Sequence, residues 1–450
     1  MKKLIDTLKN IWAIKDLRDR ILYTLALLFV FRLGSYIILP GVISSVLHNV
    51  AANRSPNDLL GLINTFTGGA FNQAAIFALG IMPYITASII IQILGFAVPY
   101  FQRLQTKEGE SGRKKLNQIT RMLTIAITLV QSGAYLTYLK GVGAISPNVP
   151  IGIFWISNIL ILTTGTIFTM WLGEKITDKG IGNGVSIIIM IGILSRLPNA
   201  LIFEFNSQLS SNGLIMFILE LAVLFVVIMF TVLIVQGVRK IPLSYPKKAI
   251  GGGSMAAGNR EYIPVKVNAA GVMPIIFAQA LMFLPAIAVQ FAAGDESAAG
   301  SFIRSMNDHF SLPYNIIYFL LIIVFTYVYT ALLVNPQQYA EWLKRSNAFI
   351  PGVKPGKDTE NYIDAITSKI TLPGSVILGI IAILPAIIVN FGVNHAFALF
   401  FGGTSLLIDV AVVLDLLAQI ESYLLMRKYD GLVSSGRIQG RSSGGIQIGY

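Results

Sequence analysis

The chain has 450 residues, 54% of them apolar and only 12% charged, with a formal net charge of +12. Soluble domains carry roughly 25% charged residues, so this composition excludes a string of soluble domains and predicts a helical bundle in lipid. Cysteine is absent, which removes disulfides, thiolate catalysis and cysteine-bound metals. The three histidines, His48, His309 and His395, fall in expected loops, which disfavours a histidine metal centre.

Residues 1–20 are expected to form an amphipathic surface helix, with Leu4, Ile5, Leu8, Ile11 and Trp12 on one face. Arg32 interrupts the first apolar run and no small-residue cleavage site follows it, so no cleaved signal peptide is expected. Apolar runs near the length that crosses the hydrocarbon predict about ten spans. They lie near 21–39, 74–94, 119–139, 153–173, 184–203, 214–236, 271–291, 314–334, 372–390 and 398–425. Between the first two, residues 59–72 are apolar yet too short to cross, and Gly68 and Gly69 interrupt them. A short re-entrant helix fits this pattern; an interfacial helix on the outer surface is the alternative.

Topology follows from the cations. Of the 34 Lys and Arg residues, 29 fall in 1–20, 95–121, 174–183, 237–270, 335–371 and the tail after 425, while the opposite loops hold Arg54, Lys140 and Arg304. Lys and Arg stay on the cytoplasmic side, so both ends are expected to be cytoplasmic and the net charge is topological. In a soluble chain it would suggest nucleic acid. The spans divide into an N-terminal half, 21–203, and a C-terminal half, 214–425, joined by an external hinge at 204–213. An odd number of spans per half inverts one half relative to the other, which puts function at their interface. The basic loops 237–270 and 335–371 are either docking surfaces or topological anchors. The first carries Gly251, Gly252 and Gly253 at a flexible tip, the second the rigid Pro351–Gly356 turn, and the tail at 426–450 is rich in Gly and Ser and expected to be disordered.

Enzymatic signatures are missing: there is no G-x-x-x-x-G-K-S/T, no H-E-x-x-H and no G-x-S-x-G. Asp409 and Asp415 share one helix but face different directions. The reading therefore assigns no catalytic residue, no metal and no cofactor, and any ATP-driven work falls to a partner. Arg32, Glu220, Asp409 and Asp415, with Glu174 and Glu421 near span ends, are scattered ionisable groups; each is a functional candidate or half of a structural ion pair.

Several stretches carry a resemblance. They are Phe31-Arg32-Leu33-Gly34-Ser35, Phe77 to Ile85, Gly109-Glu110-Ser111-Gly112-Arg113, Trp171-Leu172-Gly173-Glu174, Gly180 to Gly184, Pro264 to Asn268, Phe401 to Ile408 and Tyr429-Asp430-Gly431. Collinear from about residue 15 to 431, they resemble the SecY family, pore subunits of the bacterial general secretion channel. The resemblance implies an all-α polytopic membrane protein with ten helices in two pseudo-symmetric inverted five-helix halves around an hourglass pore. Unfolded preproteins would cross it, and signal sequences and membrane helices would leave sideways into lipid. It implies a plug built from Leu60, Gly61, Leu62, Ile63, Asn64, Thr65, Phe66, Gly68 and Gly69, and a pore ring of Ile81, Ile85, Val185, Ile189, Ile276 and Ile408. Bulky aliphatic rings offer ions no hydrogen-bond partners; without the resemblance these six would be ordinary core or lipid-facing residues. Thr86, Ser88, Gln92, Gln131 and Asn268 would be the polar positions of a lateral gate, or else plain helix packing. Arg239, Lys240, Lys247, Lys248, Lys344, Arg345, Lys354 and Lys357 would dock the SecA motor ATPase or the ribosome, and SecE-like and SecG-like subunits would complete a heterotrimer in the cell inner membrane. The chain departs from the family pattern at Lys354, where arginine is usual, at Val185, where isoleucine is usual, and at Asp409, which is usually apolar and is expected here to pair with a polar group on a neighbouring helix or an accessory subunit. The alternative reading is a secondary small-solute transporter with inverted repeats.

Overall fold

A computed structural model describes residues 12, 14–53, 59–106, 108–210, 213–245, 261–279, 281–282 and 308–434. The expected surface-helix face at Leu4, Ile5, Leu8 and Ile11, the Gly251–Gly253 tip and the tail beyond Ser434 lie outside these residues. The first helix, α1, runs from Lys15 to Gly34 and is followed by α2, Ser44–Asn53, and the short α3, Leu59–Phe66. The expected second span does not become helical at residue 74. Residues 67–81 are turns, with positive φ at Gly68, Gly69, Ala74 and Gly80, and α4 starts only at Met82, with Pro83 in its first turn. Proline is tolerated there because its missing N–H has no helical partner anyway.

Helix α4, Met82–Ala97, breaks sharply before α5, Pro99–Thr106, with a bend of 102°. Pro99 forces the residue before it out of helical geometry, and Val98 is extended at φ −117° and ψ 120°. The 95–121 stretch, expected as a loop, is thus largely helical. It continues into α6, Gly109–Gly141, then α7, Ile151–Lys179. Polar residues inside α6 are satisfied within the helix: Thr120, Thr124, Thr128 and Ser132 are buried, and each hydroxyl donates to the carbonyl four residues back at 2.6–2.9 Å. In lipid such internal bonding is what makes buried hydroxyls tolerable.

Asn183 caps α8, Gly184–Leu194, by accepting from Val185 N and Ser186 N, which fixes where this span starts. Helix α9, Leu197–Ser210, occupies most of the expected 204–213 hinge loop, so the hinge is shorter than the sequence suggested. Then come α10, Leu214–Gln236, strand β1, Val238–Pro242, strand β2, Tyr262–Lys266, and a helical segment over 273–279. The chain ends in α11, Leu312–Leu333; α12, Pro336–Arg345; α13, Lys357–Val389; the short α14, His395–Ala398; and α15, Gly403–Ser434.

Among the described residues, seven helices are long and apolar enough to cross a membrane, or eight if the bent α4–α5 pair is one span. The expected count of ten is not reached there. Helix α1 carries Arg18, Asp19, Arg20 and Arg32, too many charges for a purely apolar crossing, and the 271–291 span is described only as far as 282. The outward face of α10 is apolar and exposed along Ile215, Ile218, Phe225, Val226 and Leu233. Apolar surface on this scale belongs in lipid or against another chain, and the protein is a multi-span membrane protein.

The two long basic loops join into one body. Strands β1 and β2 pair antiparallel, Val238 with Lys266 and Ile241 with Ile263, and Ser244 bridges to Phe349 in the second loop. Period-2 alternation turns Ile263 and Val265 inward, where they meet Ile241, Leu243, Leu343, Ala348, Ile350 and Ile363 in a small core of their own.

On the loop before α11, the His309 ring lies against Phe310 and Tyr314, at centroid distances of 5.4 and 4.9 Å. Among the described residues its Nδ1 is closed off from solvent without a hydrogen-bond partner, and this burial lowers its pKa to about 4. Unfolded histidine titrates near 6.5, so between these values the unfolded chain binds more protons. The stabilising effect of neutral His309 is complete above pH 6.5 and is lost as pH falls towards 4. Hydrogen exchange over residues 308–318 should show protection falling by about 1–2 kcal/mol from pH 7 to pH 5, and His309→Phe should flatten that profile. A wild-type profile as flat as the variant's would refute the assignment.

Candidate functional site

Four helical elements remote in sequence converge on one small apolar cavity. Ile85 from α4, Ile189 from α8, Ile276 from the 273–279 segment and Ile408 from α15 line it together with Phe66 of α3, and with Met82, Thr86 and Gln279. Its volume is about 20 Å³, room for one water at most. Ile81 and Val185 belong to the same apolar core, on either side of Gly173, where an added Cβ would stand 3.5 Å from Ile81 Cδ1 and 3.4 Å from Val185 Cγ2. All six residues expected in the ring therefore lie in one cluster. Ile81, Ile189 and Ile408 are 4%, 4% and 2% exposed. The Thr86 hydroxyl bonds back to Met82 O at 3.1 Å, which leaves the surface of the cavity mostly aliphatic.

Helix α3 closes one side of this cluster. Phe66 O packs so closely on α8 that a Cβ on Gly192 would stand 2.5 Å from it. Beyond Phe66 the chain knots upon itself: Asn64 O accepts from Gly69 N at 2.9 Å, Asn64 Oδ1 accepts from Asn72 N at 3.0 Å, and Thr67 Oγ1 accepts from Phe71 N at 3.3 Å. Thr65 Oγ1 donates to Gly61 O at 3.0 Å and Ile63 O accepts from Thr67 N. Leu60 and Leu62 are in the helix, with side chains outside the described residues. Arg32 of α1 reaches this knot and donates from Nη1 to Gly68 O at 3.1 Å. From sequence Arg32 was only one ionisable group among several; its interruption of an apolar run was the available signal.

The polar positions expected at the gate separate into two places. Gln92 Nε2 donates to Ser88 Oγ at 3.2 Å, and Gln92 Oε1 accepts from Tyr329 OH of α11 at 3.2 Å, which links α4 to α11. Gln131, half-buried on α6, makes no hydrogen bond to this group among the described residues. Asn268 lies apart. It borders a cleft of about 520 Å³ with Asn183, Ser186, Lys266, Asp415 and Glu421, and its Oδ1 is buried without a partner among the described residues. Tyr329 and Gln279 were not identified from sequence. Gln279 is 4% exposed in an apolar helix, and a lone glutamine within such a run was a usable signal. Glu204 was also missed. Fully buried, it accepts from Asn394 N at 2.9 Å and from Gln208 Nε2 at 2.8 Å, and the same Nε2 donates to Glu220 Oε1 at 3.0 Å.

On the two-loop body, Arg239, Lys240, Lys344, Arg345, Lys354 and Lys357 are all exposed. Lys240 Nζ lies over the Tyr262 ring at 4.7 Å and Arg345 pairs with Glu341 at 3.7 Å. Lys247 and Lys248 lie outside the described residues. For Asp409, the expected polar partner is not found among the described residues: its Oδ1 is buried and makes no hydrogen bond.

A family model described as SecY matches residues 75–417. The chain is 38% identical to the protein translocase subunit SecY of Chlamydia muridarum, covering 97% of this chain and 99% of that one. It is 41% identical to the same subunit of Streptomyces coelicolor, over 93% and 97% of the two chains. Among solved structures it is similar in fold to one described as a protein conducting channel, with a TM-score of 0.59 at 16% identity over 90% of this chain and 92% of that one. It is likewise similar to the canine Sec61 of a ribosome-channel complex, with a TM-score of 0.55 at 16% identity and the same coverage. With relatives this similar along nearly its whole length, and with the aliphatic cluster and its short closing helix in one place, the chain belongs to the SecY family.

Proposed function

We propose that this chain is the pore subunit of a protein translocase, a channel that passes unfolded preproteins across the membrane and releases apolar segments sideways into lipid. The observation that carries this reading is the cavity where Ile85, Ile189, Ile276 and Ile408 meet Phe66. A transporter would need a compact polar or charged site for its solute, and the centre of this bundle is aliphatic. Ile81, Ile85, Val185, Ile189, Ile276 and Ile408 form the constriction. A ring of this kind denies ions replacement ligands when closed, and it yields to an extended chain of any sequence because dispersion contacts carry no sequence preference.

In this reading residues 59–72 are the plug. The Tyr329–Gln92 hydrogen bond is a clasp of the lateral gate, with Thr86 and Gln279 beside the constriction. The body built from 237–270 and 335–371 is the cytoplasmic docking platform, and its exposed cations suit the phosphates of ribosomal RNA or acidic patches of a SecA-like motor. The partner supplies the energy, since the chain has no nucleotide-binding motif. SecE-like and SecG-like subunits complete the assembly in the cell inner membrane, with both termini cytoplasmic.

Ion conductance of the purified protein in a planar bilayer tests the plug and the channel together. Wild type should be silent and a deletion of residues 60–70 should leak; a silent deletion that is still folded and inserted would count against both. For the gate, Tyr329→Phe removes one neutral hydrogen bond, worth about 0.5–1.5 kcal/mol. Lateral release of a model signal-anchor segment into lipid should quicken by about two- to ten-fold, and Gln92→Leu should add little on top. Independent, additive effects of the two substitutions would exclude a shared clasp.

A further inference from the structure

The polar contacts of α3 and its knot fall into two groups. Residues from Phe71 onward are pinned to the fixed bundle. Tyr135 OH of α6 donates to Phe71 O at 2.7 Å, and the strand-like stretch after α1 pairs with 74–76 through Leu39 N to Ala74 O and Ile76 N to Ile37 O, both 2.8 Å. Residues 59–69 have no such ladder. Among the described residues, their hydrogen bonds beyond the segment run to the residues just after it, as Asn72 N to Asn64 Oδ1, Phe71 N to Thr67 Oγ1, Gln73 N to Gly69 O and Ala70 N to Thr67 O, and the Arg32–Gly68 bond is the tie to a spanning helix. Between the two groups stands Gly69, at φ +97° with open space around the position of a Cβ, a backbone state that glycine reaches without strain.

Arg32 is an unusual anchor. It sits near the end of an apolar helix, where a charge is costly unless its donors are met. The described structure places no carboxylate on it. Nη1 donates to Gly68 O, Nη2 to Tyr36 OH at 3.3 Å, and the guanidinium lies over the Tyr36 ring at 5.4 Å. A charge-assisted bond to a carbonyl is among the stronger hydrogen bonds, and this one ends on a segment without a backbone ladder to the surrounding helices among the described residues. Gly68 is shaped for it. At φ +63° a Cβ there would stand 2.6 Å from Arg32 Nη1, 3.1 Å from Gly192 Cα and 3.2 Å from Ser195 Oγ. Helix α1, the α8 end and the knot thus close on a single residue that has no side chain to obstruct them.

We propose that Arg32 is the latch of the plug: its guanidinium, seated on Gly68 O, holds residues 59–69 against the constriction, and loss of this contact lets them swing about Gly69 while residues from Phe71 onward stay in place. This rests on the plug reading above. It makes Arg32 a positioning residue that acts through the plug, and it gives a role to a cation that meets no carboxylate among the described residues.

The test is single-channel conductance of the full chain, with thermal unfolding as a check on folding, for wild type, Arg32→Gln, Arg32→Lys, Gly68→Ala, the Arg32→Gln/Gly68→Ala double variant and the 60–70 deletion. Wild type should be closed and the deletion open. Arg32→Gln should flicker, with an open probability about ten- to a hundred-fold above wild type, the factor expected for one charged hydrogen bond. Arg32→Lys, which keeps the charge but loses the forked donor geometry, should fall between. Gly68→Ala should reproduce Arg32→Gln by pushing the guanidinium away, and the double variant should open no further than either single one. Should Arg32→Gln fail to fold, Gly68→Ala and Arg32→Lys carry the same comparison. A leaking deletion beside silent Arg32 and Gly68 variants would overturn the latch and leave the plug intact, and additive effects in the double variant would overturn it too. A silent deletion would overturn both.

Discussion

Four isoleucines drawn from opposite ends of the chain meet one phenylalanine, and this dry contact is the constraint that the remaining structure serves. Ile85 and Ile189 come from the first half of the sequence, Ile276 and Ile408 from the second, and Phe66 closes the space between them. No hydrogen bond can hold such a contact, because aliphatic side chains have none to offer. It is held from outside, by the packing of the surrounding helices, in which many buried hydroxyls are satisfied within their own helix. The hydroxyl series at Thr120, Thr124, Thr128 and Ser132 shows how: each bonds back along α6, so the helix can bury a polar stripe without needing a neighbour to complete it.

Where one half of the chain touches the other, specific hydrogen bonds do appear, and they sit well apart along the elements. Tyr329 reaches Gln92 between α11 and α4, Gln419 of α15 accepts from Gly182 N in the turn before α8, and Glu204 accepts from Asn394 N near the junction of the halves. Each is a single bond that can break without unfolding a helix. Individually such bonds are modest, which suits a bundle that must remain closed on its own and still part when a polypeptide enters. The Glu204 site differs, since Gln208 ties it to Glu220 as well. The junction is therefore braced by a small network, whereas a single hydrogen bond between Tyr329 and Gln92 links α4 to α11.

The two-loop body extends the same logic beyond the bundle. Ile241, Ile263, Val265, Leu343 and Ile350 give it a core separate from the spans. β2 is followed directly by the segment carrying Asn268 and Ile276, and α13 rises from the same body. The exposed cations of the two loops thus sit on one unit with its own core, contiguous in sequence with the segment that carries Ile276.

Composition and local pattern determined much of this in advance. The apolar runs specify a membrane bundle, because hydrophobic length is a local property of the chain; the placement of the 29 cations predicts an orientation, and the collinear family stretches single out six aliphatic positions that the structure gathers in one cluster. Tertiary structure decided what depends on distance. It fixed that α4 starts only after a knot of positive-φ residues, that α9 fills the expected hinge loop, and that the two basic loops pair through β1, β2 and the Ser244–Phe349 bridge. It also placed Asn268 in a separate cleft and gave Gln92 its partner in Tyr329, 237 residues away. Arg32 makes the same point. A lone arginine in an apolar helix announces that something must meet its charge, but the identity of that acceptor, a glycine carbonyl that only an absent side chain leaves within reach, is a fact of packing and is not written in the spacing of residues.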